Sequence, residues 1–519
     1  MDAANQAGGP IPKATRREWI GLAVLALPCV VYSMDLNLLH LAVPQLSSDL
    51  QPSAAQLLWI IDVYGFLLAG FLIPMGALGD RIGRRRLLFI GAAAFGITSV
   101  LAAFANSAET LIAARALLGI SAATLAPSTL SLIRNMFLDE RERTFAIGVW
   151  VASFSAGGAL GPLVGGLMLE HFWWGSVFLV AVPAMALLLA IGPFLLPEFK
   201  DPNASRMDFT SAAMATAAVL GVIYGMKHIA EGGSVGYAAF IICVGIAVSV
   251  LFVRRQKRLA DPLIDIDLLR MPVVGGALSI NVLALFIAFG AFLFIAQYLQ
   301  LVLGMSPLVA GLWTAPSGVV FAVGSMLTPR LVHGFGPAVL MGGGVAVTAV
   351  GFLFLTQMQS DGQFWIFMTG FMLVCLGLAP VGTVSTDLVV SASPPERAGA
   401  ASGISETSFE FGGALGIAVL GSLVAALYRI EMADAALPIP ATLLVAAQDT
   451  LGGAFAASEQ LEGEVRTALT DAAREAFVSA FRVACAVCVV LSIGTAAYAR
   501  AVLRRARANA TTAAPASVF

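Results

Sequence analysis

The sequence predicts an all-α, polytopic membrane protein. Of its 519 residues, 59% are hydrophobic and 12% are charged, and the mean hydropathy is +0.89, whereas soluble domains are about 25% charged. Apolar runs of about 20 residues recur along the whole chain, and each is long enough to cross the hydrocarbon core of a bilayer as a helix. These runs leave no stretch for a soluble catalytic domain.

About fourteen such spans are predicted, from a first near 19–42 to a last near 477–502. Basic residues concentrate in alternate loops, as in the run Arg84–Arg86, whereas the loops between them, such as Ser47–Ala55 and Gln359–Gln363, contain no Lys or Arg. The positive-inside rule therefore predicts that both termini are cytoplasmic. The expected location is the bacterial inner (plasma) membrane, with many passes.

A glycine pattern predicts that the chain contains two related halves. The sequence GGALG occurs at 157–161 and again at 412–416. This offset exceeds what a six-helix half requires, so we predict two helices inserted between the halves. The predicted domains are a cytoplasmic N-terminus (1–18), an N-terminal six-helix bundle (19–200), two inserted transmembrane helices (201–258), a C-terminal six-helix bundle (259–502) and a cytoplasmic tail (503–519).

The connection 428–476 separates the last two predicted spans on the predicted outer side. Its part from Glu459 to Glu475 mixes charges of both signs and is amphipathic. A helical hairpin over the outer mouth and a solvated connector with partial helix both fit this pattern, and the sequence does not decide between them.

A basic loop between the second and third spans predicts a conformational latch. It reads GALGDRIGRRR from Gly76 to Arg86. Its glycines allow a tight turn, and Asp80 can accept hydrogen bonds from arginines or from a helix N-terminus in one conformation only. A loop that only sets topology would explain the arginines but not the spaced glycines and the acid. The predicted latch residues are Gly76, Asp80, Arg81, Gly83 and Arg84.

This loop resembles the signature loop of the major facilitator superfamily, and further motifs follow in the expected order. The segment LIAARALLG around Arg115 resembles the fourth-helix motif of the proton-driven exporters, and GGALGPLVGG from Gly157 resembles their fifth-helix antiporter motif. The segment MDLN at 34–37 resembles the fourteen-helix drug:proton antiporter branch. The segments 58–64 and 406–410 are similar to QacA-like and SmvA-like exporters of quaternary ammonium compounds. The antiporter-motif residues are Gly157, Gly158, Gly161, Pro162, Gly165 and Gly166.

The resemblance implies the major facilitator fold, with two pseudo-symmetric six-helix bundles and two inserted helices. It implies a proton-coupled multidrug efflux antiporter, not an enzyme, that exports lipophilic or quaternary ammonium cations by alternating access. The expected partners are cationic or lipophilic drugs, protons and the lipid bilayer. We expect a monomer that uses the proton gradient, with no other cofactor, no metal and no nucleic acid.

Ionisable residues inside apolar spans are candidate sites, because a charge at mid-membrane costs at least about 2.5 to 3.5 kcal/mol. Asp35 in the first span and Arg115 in the fourth lie at similar depths, so the two can pair. We predict that Asp35 carries the coupled proton and that Arg115 tunes its protonation. A static ion pair that fixes helix packing is the alternative.

Other polar and aromatic residues predict a substrate site. Asp62 lies one helical turn beyond Trp59, and a carboxylate beside an aromatic face suits a delocalised organic cation. Tyr64 is predicted to line the same site. Glu406 and Glu410 are spaced four apart on one helical face, and either can serve the substrate or the proton.

Two other functions fit parts of the pattern. Export of an endogenous metabolite, siderophore or lipid would use the same proton chemistry, although the cavity acids argue against an anionic substrate. The other function is that of a non-transporting sensor or an intramembrane enzyme. An enzyme needs a nucleophile or a metal cluster, and the four histidines lack metal-ligand spacing. The phosphate-binding pattern GxxxxGK[ST] is absent from the sequence, which argues against direct ATP drive.

Overall fold

The computed structural model describes residues 13–200, 208–230, 233–259, 262, 269–359, 364–391, 398–435 and 438–513. Within these ranges the side chains of some residues, including Asp80 and Glu406, lie outside the described part of the structure. All regular secondary structure in the described residues is helical.

The N-terminal half consists of seven α-helices in six long segments. They are α1 (Arg16–Leu50), α2 (Ala54–Ile82), α3 (Arg84–Ala103), α4 (Ala108–Met136), α5 (Glu140–His171), α6 (Ser176–Leu179) and α7 (Ala181–Leu195). Helices α6 and α7 follow each other within one apolar segment. Thr15, Ser53 and Ser107 begin α1, α2 and α4 with capping boxes, which satisfy backbone N–H groups at the helix starts.

Two helices then lead into the C-terminal half. They are α8 (Phe209–Ala230) and α9 (Val235–Gln256). The C-terminal half contains α10 (Pro272–Gln297), a π-helix (Tyr298–Val302), α11 (Pro307–Phe335), α12 (Pro337–Leu355), α13 (Phe364–Ser391), α14 (Ala398–Asp434), α15 (Ala441–Asp449), α16 (Leu451–Ser458) and α17 (Gly463–Ala513).

Thirteen helical segments among the described residues are long and apolar enough to cross a membrane. The remaining predicted span, 208–230, forms α8, whose strongly apolar part is shorter, Thr210–Val222. The last predicted span, 477–502, lies within α17, which begins earlier, at Gly463. The early turns of α17 are polar, so hydrophobicity alone could not mark where that helix starts.

The two halves repeat the same helix packing. Helix α5 packs along α1, and α14 packs along α10. A Cβ atom added at Gly157 would collide with the Val30 carbonyl oxygen, and one added at Gly412 would lie 2.6 Å from the Val282 carbonyl oxygen. The repeated glycines therefore allow the same close helix approach in each half.

The halves meet mainly along α5 with α11 and along α2 with α14. Helices α8 and α9 pack against each other, and α8 contacts both α2 and α14. At the start of α8, partial burial raises the pKa of Asp208, but hydrogen bonds from Arg255 and Ser211 outweigh it and lower the pKa to about 2. This charged cluster joins the adjacent ends of α8 and α9.

The segment between α14 and α17 contains two short helices, α15 and α16. Helix α16 is buried between α1 and α17. A Cβ atom added at Gly452 would collide with Ser47 at the end of α1, and the Arg474 guanidinium lies 5.3 Å from the centre of the Phe455 ring. The sidedness of this segment stays a prediction.

Candidate functional site

The structure brings Asp35 and Arg115 together. Nη1 of Arg115 lies 2.6 Å from Oδ2 of Asp35, and the two side chains are 1% and 7% exposed, respectively. The pair joins α1 to α4 inside the N-terminal half. At this separation in a water-poor site, the contact is a charge-assisted hydrogen bond.

The guanidinium of Arg115 has further partners on α2. Its Nε donates to the Ile60 carbonyl oxygen at 3.2 Å, and its carbon lies 4.3 Å from the centre of the Tyr64 ring. A Cβ atom added at Gly119 would collide with the Tyr64 backbone. Gly119 lies one turn beyond Arg115 on the same face of α4, so the glycine lets α4 approach α2 closely enough for this contact.

A cavity lies between the two halves beside this pair. This central cavity has about 470 Å³ of empty space, part of which is open to its surroundings. Among the described residues that line it, those with polar side chains are His40, Asp62, Arg115 and Glu410. Because Asp35 compensates Arg115, the carboxylates of Asp62 and Glu410 give the wall a negative balance when they are ionised.

The Glu410 carboxylate accepts a hydrogen bond from the other half of the protein. Tyr32 on α1 donates its hydroxyl to Oε1 of Glu410 on α14 at 2.7 Å. Tyr32 also meets the Phe154 ring edge to face at 5.6 Å. This hydrogen bond joins the N-terminal to the C-terminal half, whereas the Asp35 contact lies within one half.

The predicted aromatic residues lie elsewhere. Trp59 packs toward α8, with its ring 6.2 Å from the Tyr224 ring, and Tyr64 is fully buried beneath Arg115. Neither belongs to the described residues that line the central cavity. Asp62 does line it and is 1% exposed. Asp62 and Trp59 thus contact different surroundings although they lie one turn apart.

The second predicted acid of α14, Glu406, has a side chain outside the described part of the structure, and only its helical backbone is placed. The same holds for Asp80 in the predicted latch. The proposed roles of both acids stay predictions.

The basic loop is a tight turn that is held by the segment that follows α7. Gly83 has φ +113° and separates α2 from α3, and the Arg84 N–H donates to the Phe199 carbonyl oxygen at 2.9 Å. Glu198 accepts from the Arg85 N–H at 3.1 Å, and a Cβ atom added at Gly83 would lie 2.6 Å from Oε1 of Glu198. A side chain at position 83 would therefore be strained and obstructed.

Two other latch residues have different surroundings. A Cβ atom added at Gly76 would lie 3.7 Å from Pro127 of α4, which is ordinary contact distance. Arg81 is exposed, and Arg84 is buried against Gly79.

The antiporter-motif glycines contact both halves. Gly157 and Gly165 face α1, while a Cβ atom added at Gly166 would lie 2.8 Å from the Leu308 Cα at the start of α11. Pro162 lies against Gly311 of α11. Gly158 lies near Ser33 of α1, and for Gly161 no close contact is described.

These contacts belong to a closed end of the central cavity. At the same end, the Gln300 side chain donates to the Leu41 carbonyl oxygen at 2.9 Å and so joins α10 to α1. Small residues let the backbones of α5 and α11 touch.

The sequence analysis missed Tyr32, which donates to the cavity residue Glu410, and His40. Tyr32 lies one turn before Asp35 on the same face of α1, so helical spacing was an available signal. His40 lines the central cavity, and its Nδ1 has no hydrogen-bond partner among the described residues. Its position in an apolar span gave no indication of the direction in which it faces.

Together these features define a membrane transporter in which two related helical halves enclose a polar cavity. A family model described as the Major Facilitator Superfamily matches residues 25–417 and also 277–509. The chain belongs to the major facilitator superfamily.

Relatives of the chain match over nearly its full length. The multidrug efflux pump LfrA of Mycolicibacterium smegmatis is 43% identical over 501 residues, which are 95% of this chain and 98% of LfrA. The methyl viologen resistance protein SmvA of Salmonella typhimurium is 35% identical over 90% of this chain and 94% of SmvA. The predicted family is confirmed.

A crystal structure of a bacterial homologue of the human lysosomal transporter Spinster, inward-facing and unoccupied, has a TM-score of 0.65 at 18% identity. The match covers 95% of this chain and 99% of that one, and it shows the shared fold. The predicted helical membrane fold is confirmed, and the chain is a multi-pass secondary transporter of the bacterial inner membrane, not an enzyme.

Proposed function

We propose that the protein exports lipophilic and quaternary ammonium cations in exchange for protons by alternating access. The observation that carries the proposal is the buried pair of Asp35 and Arg115, in which Arg115 lines the central cavity together with Asp62 and Glu410. The names of LfrA and SmvA, a multidrug efflux pump and a methyl viologen resistance protein, support a cationic drug as the substrate.

The charges of the wall suit a cation in one protonation state and not in the other. While Asp35 is ionised it balances Arg115, and a cation is attracted by the carboxylates of Asp62 and Glu410. When a proton neutralises Asp35, the charge of Arg115 is no longer balanced, because the guanidinium stays protonated in proteins. The unbalanced guanidinium repels the cation, so proton and substrate compete.

A conformational change would open the central cavity to each side of the membrane in turn, so that proton and substrate compete on both sides. The contacts of α5 with α11 and of Gln300 with Leu41 close one end of the central cavity, which is the outer end according to the predicted topology. Opening that end requires these contacts to separate while the halves rock about the cavity. Each elementary charge that crosses the membrane supplies about 2.3 kcal/mol per 100 mV.

Substrate-induced proton release from proteoliposomes tests the proposal. A pH-sensitive dye would follow protons while ethidium, a quaternary ammonium biocide and a dication are added in turn. We expect ethidium and the biocide to elicit proton release. An absence of proton movement with every cation, from protein that is monodisperse and correctly folded, would contradict drug export and direct the search to neutral metabolites and lipids.

A further inference from the structure

A second, smaller cavity lies inside the C-terminal half. This side cavity is a narrow gap between α10, α11, α13 and α14. Phe409 lines both the side cavity and the central cavity. Among the described lining residues of the side cavity, Asn281 has the only polar side chain, and Phe321 and Phe409 are aromatic.

The hydrogen bonds around Asn281 fix the orientation of its amide. Nδ2 lies 3.0 Å from the Ser408 hydroxyl oxygen, and that hydroxyl donates its hydrogen to the Ser405 carbonyl oxygen at 2.7 Å. The Ser408 oxygen must therefore accept, so the atom that faces it is the NH₂ group of Asn281.

This orientation leaves an acceptor at the side cavity. Asn281 is 2% exposed, and its Oδ1 has no hydrogen-bond partner among the described residues. A buried acceptor without a partner is unfavourable in a native structure. Oδ1 is buried in this conformation, so a donor on a bound molecule reaches it when the surrounding helices separate.

The two cavities lie along one face of α10. Asn281, Leu285 and Phe289 are spaced four apart, and the first two line the side cavity while Phe289 lines the central cavity. This spacing covers about 12 Å of helix. On α14, Phe409 separates the cavities and Glu410 follows it in the central cavity, so one elongated molecule can contact both.

We propose that the side cavity binds the aromatic end of a planar organic cation that carries an N–H donor, and that Oδ1 of Asn281 accepts from this donor. The inference rests on the proposed function and specifies its substrate class. The cationic centre lies beside Asp62 and Glu410, while the aromatic end passes Phe409. A neutral amide offers an acceptor without a charge, which suits an amino-aromatic group more than a second cationic centre.

Two aromatic cations with and without N–H groups test this inference. Ethidium has aromatic amino groups, whereas tetraphenylphosphonium has none. In proteoliposomes, we expect Asn281→Leu to raise the KM for ethidium about tenfold, as expected for a lost hydrogen bond in a desolvated site. The KM for tetraphenylphosphonium should change less than about twofold, because this cation cannot donate to Oδ1.

Ser408→Ala is the matched control, because it removes the partner of Nδ2 and keeps Oδ1. We expect this variant to change both KM values by the same factor. If Asn281→Leu also changes both KM values by the same factor, Asn281 only joins α10 to α14 and the inference is overturned.

Further outcomes separate the inference from the proposed function. If Asn281→Leu is not monodisperse, Asn281→Asp, which keeps the acceptor, must retain the preference for ethidium, and its loss would contradict the inference. If the intact protein transports both cations and Asn281→Leu leaves the ethidium KM unchanged, the inference alone fails. If the intact protein transports neither cation, the proposed function fails and the inference with it.

Discussion

Helices α4 and α13 hold equivalent places in the two halves and differ in chemistry. Both contain the sequence Leu-Ala-Pro, at 125–127 and at 378–380, and counting back from the proline aligns Met368 with Arg115. Arg115 is buried and paired with Asp35, whereas Met368 is buried in the hydrophobic core. A methionine is accepted where the other half has an ion pair, so this helix packing does not itself require the charge.

The carboxylates of Asp35 and Glu410 differ in a related way. Arg115 binds Asp35 within one half, and Tyr32 binds Glu410 across the halves. If the halves rock as proposed, the first contact moves as part of one half, whereas the second joins two parts that move relative to each other. The first pair is therefore suited to proton binding, and the second contact is suited to sensing whether the halves are closed.

The Arg115→Met variant gives α4 the residue that α13 has at the equivalent position. It tests the difference between these two helices and has the largest expected effect. We expect Arg115→Met to abolish transport and to lower the free energy of unfolding by about 3 to 5 kcal/mol, because Asp35 is left buried without its cation. Thermal unfolding in detergent measures stability. Met368→Leu should cost less than about 1.5 kcal/mol, as a volume-conserving change.

The double variant Asp35→Asn with Arg115→Met distinguishes a proton site from a static pair. Because the unpaired charge is removed, we expect most of the stability to return while proton-coupled transport stays absent. Recovery of coupled transport in the double variant would show that the pair only fixes packing.

The next largest effect is expected where the backbones of α5 and α11 touch at the closed end of the central cavity. Gly166→Ala places a Cβ atom 2.8 Å from the Leu308 Cα, and backbone atoms cannot move aside easily. Overpacking of about 1 to 3 kcal/mol would oppose closure, so in proteoliposomes we expect proton leak without substrate and roughly tenfold slower ethidium export. Gly343→Ala in α12, with no atom within 4 Å of the added Cβ, should behave as the intact protein does.

The cross-half hydrogen bond has a moderate expected effect. Tyr32→Phe removes the donor to Glu410, and water in the cavity can replace part of the bond. We expect the closed state to lose about 1 kcal/mol, which is about a fivefold shift in the equilibrium between closed and open states. Distance measurements between spin labels on α5 and α11 would detect it. If the distribution of spin-label distances is unchanged, the hydrogen bond from Tyr32 to Glu410 does not stabilise the closed state.

The smallest expected effect belongs to Trp59. Its ring packs toward Tyr224 of α8 and is absent from the described lining of the central cavity. We expect Trp59→Phe to change the ethidium KM less than about twofold, since changes away from the binding surface usually cost less than about 0.5 kcal/mol. A larger rise in KM would place the substrate nearer to α8 than the central cavity indicates.

Helical spacing and the cost of buried charge predicted much of this molecule. The spans, the glycine contacts and the pairing of Asp35 with Arg115 follow from properties of single helices and from their depth in the membrane. The orientation of Trp59 does not, because it depends on α8, a helix whose packing partner no local pattern identifies. Contacts such as Tyr32 with Glu410 or Gly83 with Glu198 join distant positions, and only the tertiary arrangement shows them.

The proton-carrying role of Asp35 is tested most directly by measuring substrate-induced proton release and ethidium binding together in the Asp35→Asn variant. Asp208→Asn is the control, because Asp208 pairs with Arg255 outside the cavity. We predict that Asp35→Asn binds ethidium more weakly, because Arg115 is left unbalanced as in the protonated protein, and that it releases no proton even when ethidium is saturating. Asp208→Asn should bind ethidium and release protons as the intact protein does. Proton release at the normal stoichiometry from folded Asp35→Asn protein would contradict the role assigned to this carboxylate.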